Sequence, residues 1–153
     1  MSEGRKVIAR NRKATHEYYI EGTYDAGIVL MGSEIKSIRD HKISLQEGYV
    51  LEQEGELWLM GVHISPYEQA SFFGHHDPLR PRKLLLHKRE IARIITQLRE
   101  RGYTAVPLQL YLERGRAKVE IAIARGKKLH DKRQAIAKKD AEREMRRNLK
   151  DRS

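Results

Sequence analysis

The chain has 153 residues, among which 31 Lys and Arg outnumber 21 Asp and Glu, so its formal net charge is +10. This length suits one domain with tails, and the excess of cations favours a polyanionic partner such as nucleic acid. The absence of Cys excludes disulfides and thiolate metal sites, and no apolar stretch has the length of a signal peptide or a membrane span. We therefore expect a cytoplasmic protein without membrane contact.

The first predicted elements are a strand and a short helix. Residues 15–30 are rich in Tyr, Ile and Val and contain two glycines, a composition that predicts a strand broken by bulges. Residues 32–39 offer Ser33 as a helix N-cap and place Ile35 and Ile38 on one side, which indicates a helix.

The middle of the chain predicts a hairpin followed by a loop. Residues 49–52 and 57–60 are apolar runs on either side of a polar turn, the pattern of a β-hairpin. The second strand is expected to continue to Ile64 and to direct its Trp58 face toward the core. Residues 68–82 are rich in Gly, Pro and polar side chains, so we expect an exposed loop there.

The second half predicts a helix and another hairpin. Residues 87–101 precede Gly102 and carry apolar side chains at helical spacing, namely Ile91, Ile94, Ile95 and Leu98. Alternating apolar residues over 106–112 and 119–123 flank a turn that contains Gly115, which predicts a hairpin. Together these elements predict a mainly β fold, an OB-like antiparallel β-barrel with two or three flanking helices.

The last 28 residues form a basic tail. Residues 126–153 contain eleven Lys and Arg against five Asp and Glu, so six of the ten excess positive charges lie there. Their few apolar side chains are too sparse to bury against a core. We expect an OB-like RNA-binding barrel over residues 1–125 and, over 126–153, a tail that is largely disordered when free.

A catalytic alternative rests on His75, His76 and Asp77, which suggest a metal or nuclease site. Adjacent His residues in a loop with Pro and Gly have no partner at ligand spacing, so a surface loop is the favoured interpretation. The sequence contains no Gly-x-Ser-x-Gly turn, no His-Glu-x-x-His helix and no P-loop. We therefore expect a protein that is not an enzyme and that uses no metal or cofactor.

Cations and aromatic rings are the candidates for nucleic-acid binding, although each cation alone is also an ordinary surface residue. Lys and Arg attract phosphates, and the candidates are Arg12, Lys13, Lys36, Arg39, Arg80, Arg82 and Lys83. Unpaired bases stack on aromatic rings, which RNA loops permit and duplexes do not, and the candidates are Tyr18, Tyr19 and Tyr24. This combination favours RNA over DNA.

Four spaced segments carry a family resemblance. They are Asn11-Arg12-Lys13-Ala14-x-His16-x-Tyr18, Ala26-Gly27-Ile28-Val29-Leu30-x-Gly32-Ser33-Glu34-Ile35-Lys36-Ser37, Arg82-Lys83-Leu84-Leu85-Leu86, and Gly126-Lys127-Lys128-x-His130-Asp131-Lys132-Arg133. In this order they resemble the motifs of the family of small protein B, the SsrA-binding protein. The resemblance extends over nearly the whole chain.

The resemblance implies an OB-like barrel that binds the tRNA-like domain of transfer-messenger RNA. It further implies delivery of this alanyl-charged RNA to ribosomes stalled on messages without a stop codon, where the incomplete peptide is tagged for degradation. The tail is then expected to enter the small-subunit decoding centre and message channel and to become helical there. The expected partners are transfer-messenger RNA and the ribosome, without DNA or membrane.

The resemblance also implies roles for individual positions. Asp25, Leu85 and Lys118 match barrel positions linked to transfer-messenger RNA binding, and Lys118 suits a phosphate contact. The other residues expected at that RNA are Asn11, Arg12, Lys13, His16, Lys36, Arg39 and Lys83. The residues expected to engage the ribosome are Lys127, Lys128, His130, Asp131, Lys132, Arg133, Ile136 and Lys138. The chain departs from the family pattern at Asp25, where Glu is commoner, and at Ala141, where the tail lacks an aromatic residue.

Composition and pattern alone leave an alternative of another class open. A basic ribosomal or ribosome-assembly protein with an OB-type domain would have the same charge and the same strands. It would be present stoichiometrically on every ribosome.

Overall fold

The computed structural model describes residues 4–66 and 76–126, and in these ranges the chain forms nine strands and three helices. In chain order the elements are β1 (Arg5–Arg10), α1 (Arg12–Glu17), β2 (Tyr18–Ile28), α2 (Gly32–Arg39), β3 (Ile43–Ser44), β4 (Tyr49–Gln53), β5 (Glu56–Met60), β6 (His63–Ile64), β7 (Arg82–Leu85), α3 (Lys88–Leu98), β8 (Tyr103–Glu113) and β9 (Arg116–Gly126). None of the described helices is long and apolar enough to cross a bilayer.

Seven strands form one antiparallel sheet in the order β1-β8-β9-β2-β7-β5-β4, and the short strands β3 and β6 pair separately. The sheet curves, because β4 at one end lies against β8, which is second from the other end. The predicted mainly β, OB-like antiparallel barrel with two or three flanking helices is confirmed, and the described residues form three helices.

The core lies inside the curved sheet. Its fully buried members come from helices and strands along the whole described chain and include Ile38, Leu59, Ile94, Leu110 and Ile121. Each such side chain contributes about 1.5–3 kcal/mol when it leaves water. The predicted apolar stripe of α3 is confirmed, because Ile94 is fully buried and the other three members pack against the core.

Both predicted hairpins are confirmed. Glu54 and Gly55 form the loop between β4 and β5, and Arg114 and Gly115 form the loop between β8 and β9. All four residues have positive φ, between 53° and 78°. Two-residue loops with this backbone match the right-handed twist of the strands that they join.

The face of β5 that enters the core was predicted wrongly. Leu57 and Leu59 are fully buried, whereas Trp58 is only half-buried. The prediction treated residues 58–64 as one extended strand, but β5 ends at Met60 and Gly61 has a φ of 71°. This left-handed residue changes which side of the chain faces inward, so Val62 and Ile64 are also fully buried.

The N-terminal region also differs from the prediction. The strand predicted over residues 15–30 begins at Tyr18, because Arg12–Glu17 forms α1, and β1 precedes it. The side chain of Asn11 caps α1 by accepting a hydrogen bond from the Ala14 amide over 3.2 Å.

The N-cap of α2 differs from the prediction by two residues. Ser33 is not the N-cap of α2, since Met31 occupies that position and its amide donates to Glu34 over 2.8 Å. Strand β9 includes Gly126, one residue beyond the expected boundary between barrel and tail. The predicted disorder of the tail and most of the predicted loop over 68–82 lie outside the described residues.

Candidate nucleic-acid interface

A shallow depression of about 330 Å³ opens on the outer face of the sheet, where β9, β2 and β7 meet the start of α3. Its lining consists of Asp25, Gly27, Leu85, Leu86, His87, Glu90 and Lys118. Three of these residues, Asp25, Leu85 and Lys118, were expected from the family resemblance and lie far apart in the sequence. The structure brings them together.

Strand register explains why these residues meet. Gly27 of β2 lies directly opposite Leu85 of β7 on one side and Lys118 of β9 on the other. Asp25 lies two residues before Gly27 and therefore on the same face of the sheet. Cross-strand neighbours on one face are about 5 Å apart, close enough for three strands to supply one binding site.

Gly27 provides the space in which Leu85 lies. A Cβ atom added at Gly27 would be 3.3 Å from Cβ of Leu85, which is tighter than an ordinary contact. The absence of a side chain lets Leu85 extend across the strand, and Leu85 remains 51% exposed. An aliphatic side chain that is this exposed beside a lysine suits packing against a ribose or a base.

Asp25 is positioned by a buried side chain on the same face of the sheet, since Tyr111 lies opposite Lys118. The hydroxyl of Tyr111, a fully buried residue of β8, donates a hydrogen bond to Oδ1 of Asp25 over 3.0 Å. Burial, followed by the neighbouring Asp25 carboxylate, raises the pKa of Tyr111 to about 12, so the hydroxyl remains a donor at neutral pH. Asp25 itself is exposed and can accept a second hydrogen bond from a bound hydroxyl or amino group.

Lys118 supplies the positive charge of the depression. Its side chain is 40% exposed, and Nζ lies 3.4 Å from Oε1 of Glu113, an ion pair that solvent screens. Lys88 and Arg89, in the first turn of α3, are also exposed, although neither lines the depression. The sequence analysis missed these two cations and His87, because the helix was interpreted only through its apolar stripe.

The residues predicted on and before α1 form a separate group. Arg12, Lys13 and His16 are exposed, and Nζ of Lys13 lies 3.0 Å from Glu47 and 3.8 Å from Glu17. Helix α1 packs on β8 and β2, beside a second cavity of about 310 Å³. These residues line or border that cavity rather than the Asp25 depression.

Asn11 does not present its side chain to solvent. Its Nδ2 donates to the carbonyls of Leu45 and Pro107 over 3.2 and 2.9 Å, while Oδ1 caps α1. Because the residue is only 4% exposed and its polar atoms are used, its structural role is to fix α1 against the barrel.

Lys36 and Arg39 are exposed on α2, which packs against β6, and Lys83 lies on β7 beside Leu85. Nζ of Lys83 is 2.6 Å from Glu56, and the lysine remains 38% exposed. Lys83 shares the outer sheet face with the depression because it lies two residues from Leu85.

Arg82 was wrongly predicted to contact phosphates, since it is fully buried. Its guanidinium contacts Oε2 of Glu34 over 2.6 and 2.8 Å and donates to the Val62 carbonyl over 2.7 Å. Arg80 approaches Oε1 of the same carboxylate over 2.6 Å from the partly exposed side. A buried carboxylate with two guanidinium partners is a structural cluster, because neither charge of the Arg82–Glu34 pair reaches solvent.

Electrostatics keep this cluster ionised. Burial alone would raise the pKa of Glu34, but hydrogen bonds from Arg80, the Met31 amide and Arg82 outweigh it and leave the pKa lowered. Burial lowers the pKa of Arg82, and Glu34 opposes that change. The cluster joins α2, the segment before β7 and the chain between β5 and β6.

His76 is also structural. It is buried, its Nε2 donates to the Ile64 carbonyl over 2.9 Å, and its Nδ1 lies 2.9 Å from the Ser33 hydroxyl. The carbonyl can only accept, so in the neutral ring Nδ1 accepts from Ser33. Within residues 4–66 and 76–126 no group of His, Asp and Glu is arranged to hold a metal.

The predicted ribosome-engaging residues lie outside the described residues. They are Lys127, Lys128, His130, Asp131, Lys132, Arg133, Ile136 and Lys138. The last described residue, Gly126, pairs with Tyr18, the first residue of β2.

The chain is similar to known proteins over nearly its whole length. The family model described as SmpB protein matches residues 8–151. An SsrA-binding protein of Roseiflexus sp. (strain RS-1) is 59% identical over 148 residues, which cover 97% of this chain and 94% of the relative. One from Acidothermus cellulolyticus is 56% identical over 146 residues, covering 95% and 91%.

A solved structure shares the fold. A chain from the structure described as "tmRNA-SmpB: a journey to the center of the bacterial ribosome" matches with a TM-score of 0.69 and 43% identity, covering 94% of this chain and 98% of that chain. Full-length similarity in sequence and in fold agrees with the order of the four motifs. This chain belongs to the SmpB family.

Proposed function

We propose that this protein is the RNA-binding adaptor of trans-translation in the cytoplasm, and that it acts without catalysing a reaction. It binds the tRNA-like domain of transfer-messenger RNA and delivers that RNA to stalled ribosomes, so that the incomplete peptide is tagged. The observation that carries the proposal is the outer-face depression, where Asp25, Leu85 and Lys118 converge from three strands.

The chemistry of the depression supports one role for each residue. Lys118 contacts a phosphate, Leu85 packs against a base or ribose, and Asp25 accepts from an exocyclic amino group or a ribose hydroxyl. A carboxylate that Tyr111 holds in place selects for donor groups and repels misplaced phosphates. The depression therefore reads the shape and functional groups of a folded RNA as well as its charge.

The charge layout supports a second contact. Residues 1–125 are proposed as the RNA-binding barrel, and residues 126–153, with six of the ten excess positive charges, as the segment that engages the ribosomal decoding centre. Gly126, the last described residue of the barrel, pairs with Tyr18, which directly follows α1.

Equilibrium binding tests the proposal. Full-length protein is titrated against the tRNA-like domain and against an ordinary tRNA across a salt series, alongside a chain ending at Gly126. The expected result is tight preference for the tRNA-like domain, retained by the shorter chain. Equal and steeply salt-dependent binding to both RNAs, lost with the tail, would contradict the proposal.

Two substitutions locate the contact. Lys118→Ala should weaken binding and should lower the slope of log K against log salt concentration by about one, the value for one phosphate contact. Leu85→Ala should weaken binding and leave that slope unchanged. Leu79→Ala is the matched control, because Leu79 is similarly exposed, at 55%, and does not line the depression. Equal losses for Leu85→Ala and Leu79→Ala would place the RNA elsewhere.

A further inference from the structure

The outer face of the sheet continues beyond the depression to an apolar surface on the β4–β5 hairpin. Tyr49 pairs with Met60 and Leu51 pairs with Trp58, so these four side chains share one face. We call them the hairpin patch. Tyr49 and Leu51 are 44% and 40% exposed, whereas Val50, Leu57 and Leu59 on the opposite face are buried.

The hairpin patch is joined to the RNA depression through β7. Trp58 lies opposite Lys83, and Lys83 is two residues from Leu85 on the same strand face. Neighbouring strands are about 4.8 Å apart, so roughly 14 Å separates β2 from β4 across the sheet. A molecule on the patch would therefore lie beside an RNA held at Leu85.

The charges around the hairpin patch differ from those of the rest of the chain. Residues 43–79 contain no Lys or Arg, although the whole chain has 31. The hairpin and its approach carry Glu47, Glu52, Glu54 and Glu56. This is an acidic region within a protein of net charge +10.

The four carboxylates differ in whether they form ion pairs with the described residues. Lys13 pairs with Glu47 over 3.0 Å, and Lys83 pairs with Glu56 over 2.6 Å. The described residues form no ion pair with Glu52 or Glu54, and Oε2 of Glu52 accepts only the Gly55 amide, over 3.0 Å. Both residues lie at the turn end of the hairpin, where Glu54 is exposed in the turn and Glu52, opposite Leu57, is on the other face from the patch.

We propose that the hairpin patch binds a Lys- and Arg-rich protein segment while the depression holds RNA, an inference that rests on the proposed function. Carboxylates at this end of the hairpin, with Glu54 in the turn and Glu56 on the patch face, repel phosphates, so a second stretch of RNA is disfavoured. Tyr and Trp rings attract guanidinium and ammonium groups, and Tyr, Trp and Met are enriched where proteins meet. Charge complementarity therefore selects a basic protein segment with apolar side chains.

Site-specific photo-crosslinking tests the inference on assembled complexes. The full-length chain carries p-benzoylphenylalanine in place of Leu51, is loaded with transfer-messenger RNA and is bound to purified stalled ribosomes. The control carries the same photoprobe in place of Leu79, another exposed leucine. The expected product is an adduct between position 51 and a Lys- and Arg-rich protein peptide, stronger than the adduct from position 79.

Other products would overturn the inference. These are an adduct to RNA, to a second copy, to residues 127–153 of the same chain or to a peptide without basic residues, and equally a yield no higher than that of the control. Each product is distinguished by nuclease treatment and by mass spectrometry of the crosslinked peptides.

A charge-reversal variant separates this inference from the proposed function. Glu52→Lys with Glu54→Lys should reduce binding of the RNA-loaded protein to ribosomes several-fold and leave affinity for the isolated tRNA-like domain unchanged. Glu100→Lys is the control, since Glu100 is exposed in the turn after α3. Unchanged ribosome binding by the double variant would overturn the inference, whereas failure of unsubstituted protein to prefer the tRNA-like domain would contradict the proposed function.

Discussion

The hydroxyl of Tyr111 donates to Oδ1 of Asp25 across 3.0 Å, linking a fully buried residue of β8 to an exposed carboxylate of β2. Strand β9 lies between these two strands, so the hydrogen bond spans the sheet at the proposed RNA site. The guanidinium of Arg5 covers the Tyr111 ring at 3.9 Å and holds it in place. Tyr111 lies opposite Lys118 in β9, so a buried side chain on the outer face of the sheet determines the conformation of Asp25.

Removing this hydroxyl should weaken RNA binding without removing any RNA contact. Tyr111→Phe is expected to cost about 1 kcal/mol in binding to the tRNA-like domain, because Asp25 loses its fixed orientation. Fluorescence anisotropy at constant salt measures the change. Tyr24→Phe is the control, since the Tyr24 hydroxyl makes a 3.4 Å contact to Gln97, away from the depression. Equal affinities of the two variants would contradict a positioning role for Tyr111.

The raised pKa of Tyr111 predicts an alkaline loss of stability. The folded pKa of about 12 exceeds the ordinary value of 10.0, so the folded state retains the proton longer than the unfolded state. The resulting stabilisation amounts to at most about 3 kcal/mol. It is fully present below pH 10 and is lost as the pH rises toward 12. Urea unfolding at several pH values should show a smaller alkaline decline in Tyr111→Phe than in the unsubstituted chain. Identical alkaline declines in the two proteins would show that Tyr111 is not the group responsible.

A methyl group at Gly27 should displace Leu85 and thereby impair the RNA site. In Gly27→Ala the new Cβ would lie 3.3 Å from Cβ of Leu85, so Leu85 must shift by a few tenths of an ångström. RNA affinity is expected to fall several-fold, while the free energy of unfolding changes by about 1 kcal/mol or less.

Gly22→Ala is the matched control for this experiment. It lies on the same strand, and a Cβ there would meet no atom within 4 Å. If both alanine variants bound RNA equally well, close packing at Gly27 would have no part in the site.

Breaking the buried ionic cluster should lower the free energy of unfolding more than a substitution at the surface does. Glu34→Gln leaves Arg82 fully buried without its counter-charge, and we expect a loss of about 3–5 kcal/mol in the free energy of unfolding. Arg80→Ala, which removes the partly exposed partner, should cost less. Urea denaturation of the three proteins measures both values. A larger loss for Arg80→Ala would contradict this account of the cluster.

The same cluster predicts an acid dependence. The pKa of Glu34 is lowered from its ordinary value of 4.5, so the stabilisation by its ionised form is present above pH 4.5 and is lost as pH falls through the folded pKa. The stability difference between unsubstituted protein and Glu34→Gln should therefore shrink in acid. A difference that stays constant down to acid unfolding would contradict the linkage.

The sequence predicted those elements whose pattern is local. Both hairpins and α3 follow from alternation or helical spacing bounded by turn residues, and all three were found. Helix α1 was missed because its six residues carry one buried side chain, Ala14, and therefore show no apolar stripe. Its signal was the capping residue Asn11, which was interpreted as an RNA contact.

The burial and orientation of the other residues depend on parts of the chain that are distant in sequence. The burial of Arg82 has no signal in its own neighbourhood, because it depends on Glu34, 48 positions earlier. The inward face of β5 was predicted wrongly because the effect of one positive φ at Gly61 cannot be read from an apolar run. Within the site, Asp25, Leu85 and Lys118 came from family resemblance, and their meeting point needed the strand order.

That strand order has a consequence for the protein during its own synthesis. Strand β9 is the last strand described and fills the place between β8 and β2, so Lys118 joins Asp25 only after the chain has been made through residue 126. An incomplete nascent chain has no depression, because Gly27 then has no partner on its β9 side. The proposed RNA binding thus requires a complete barrel, and a product truncated before β9 is expected not to compete with intact protein for the RNA.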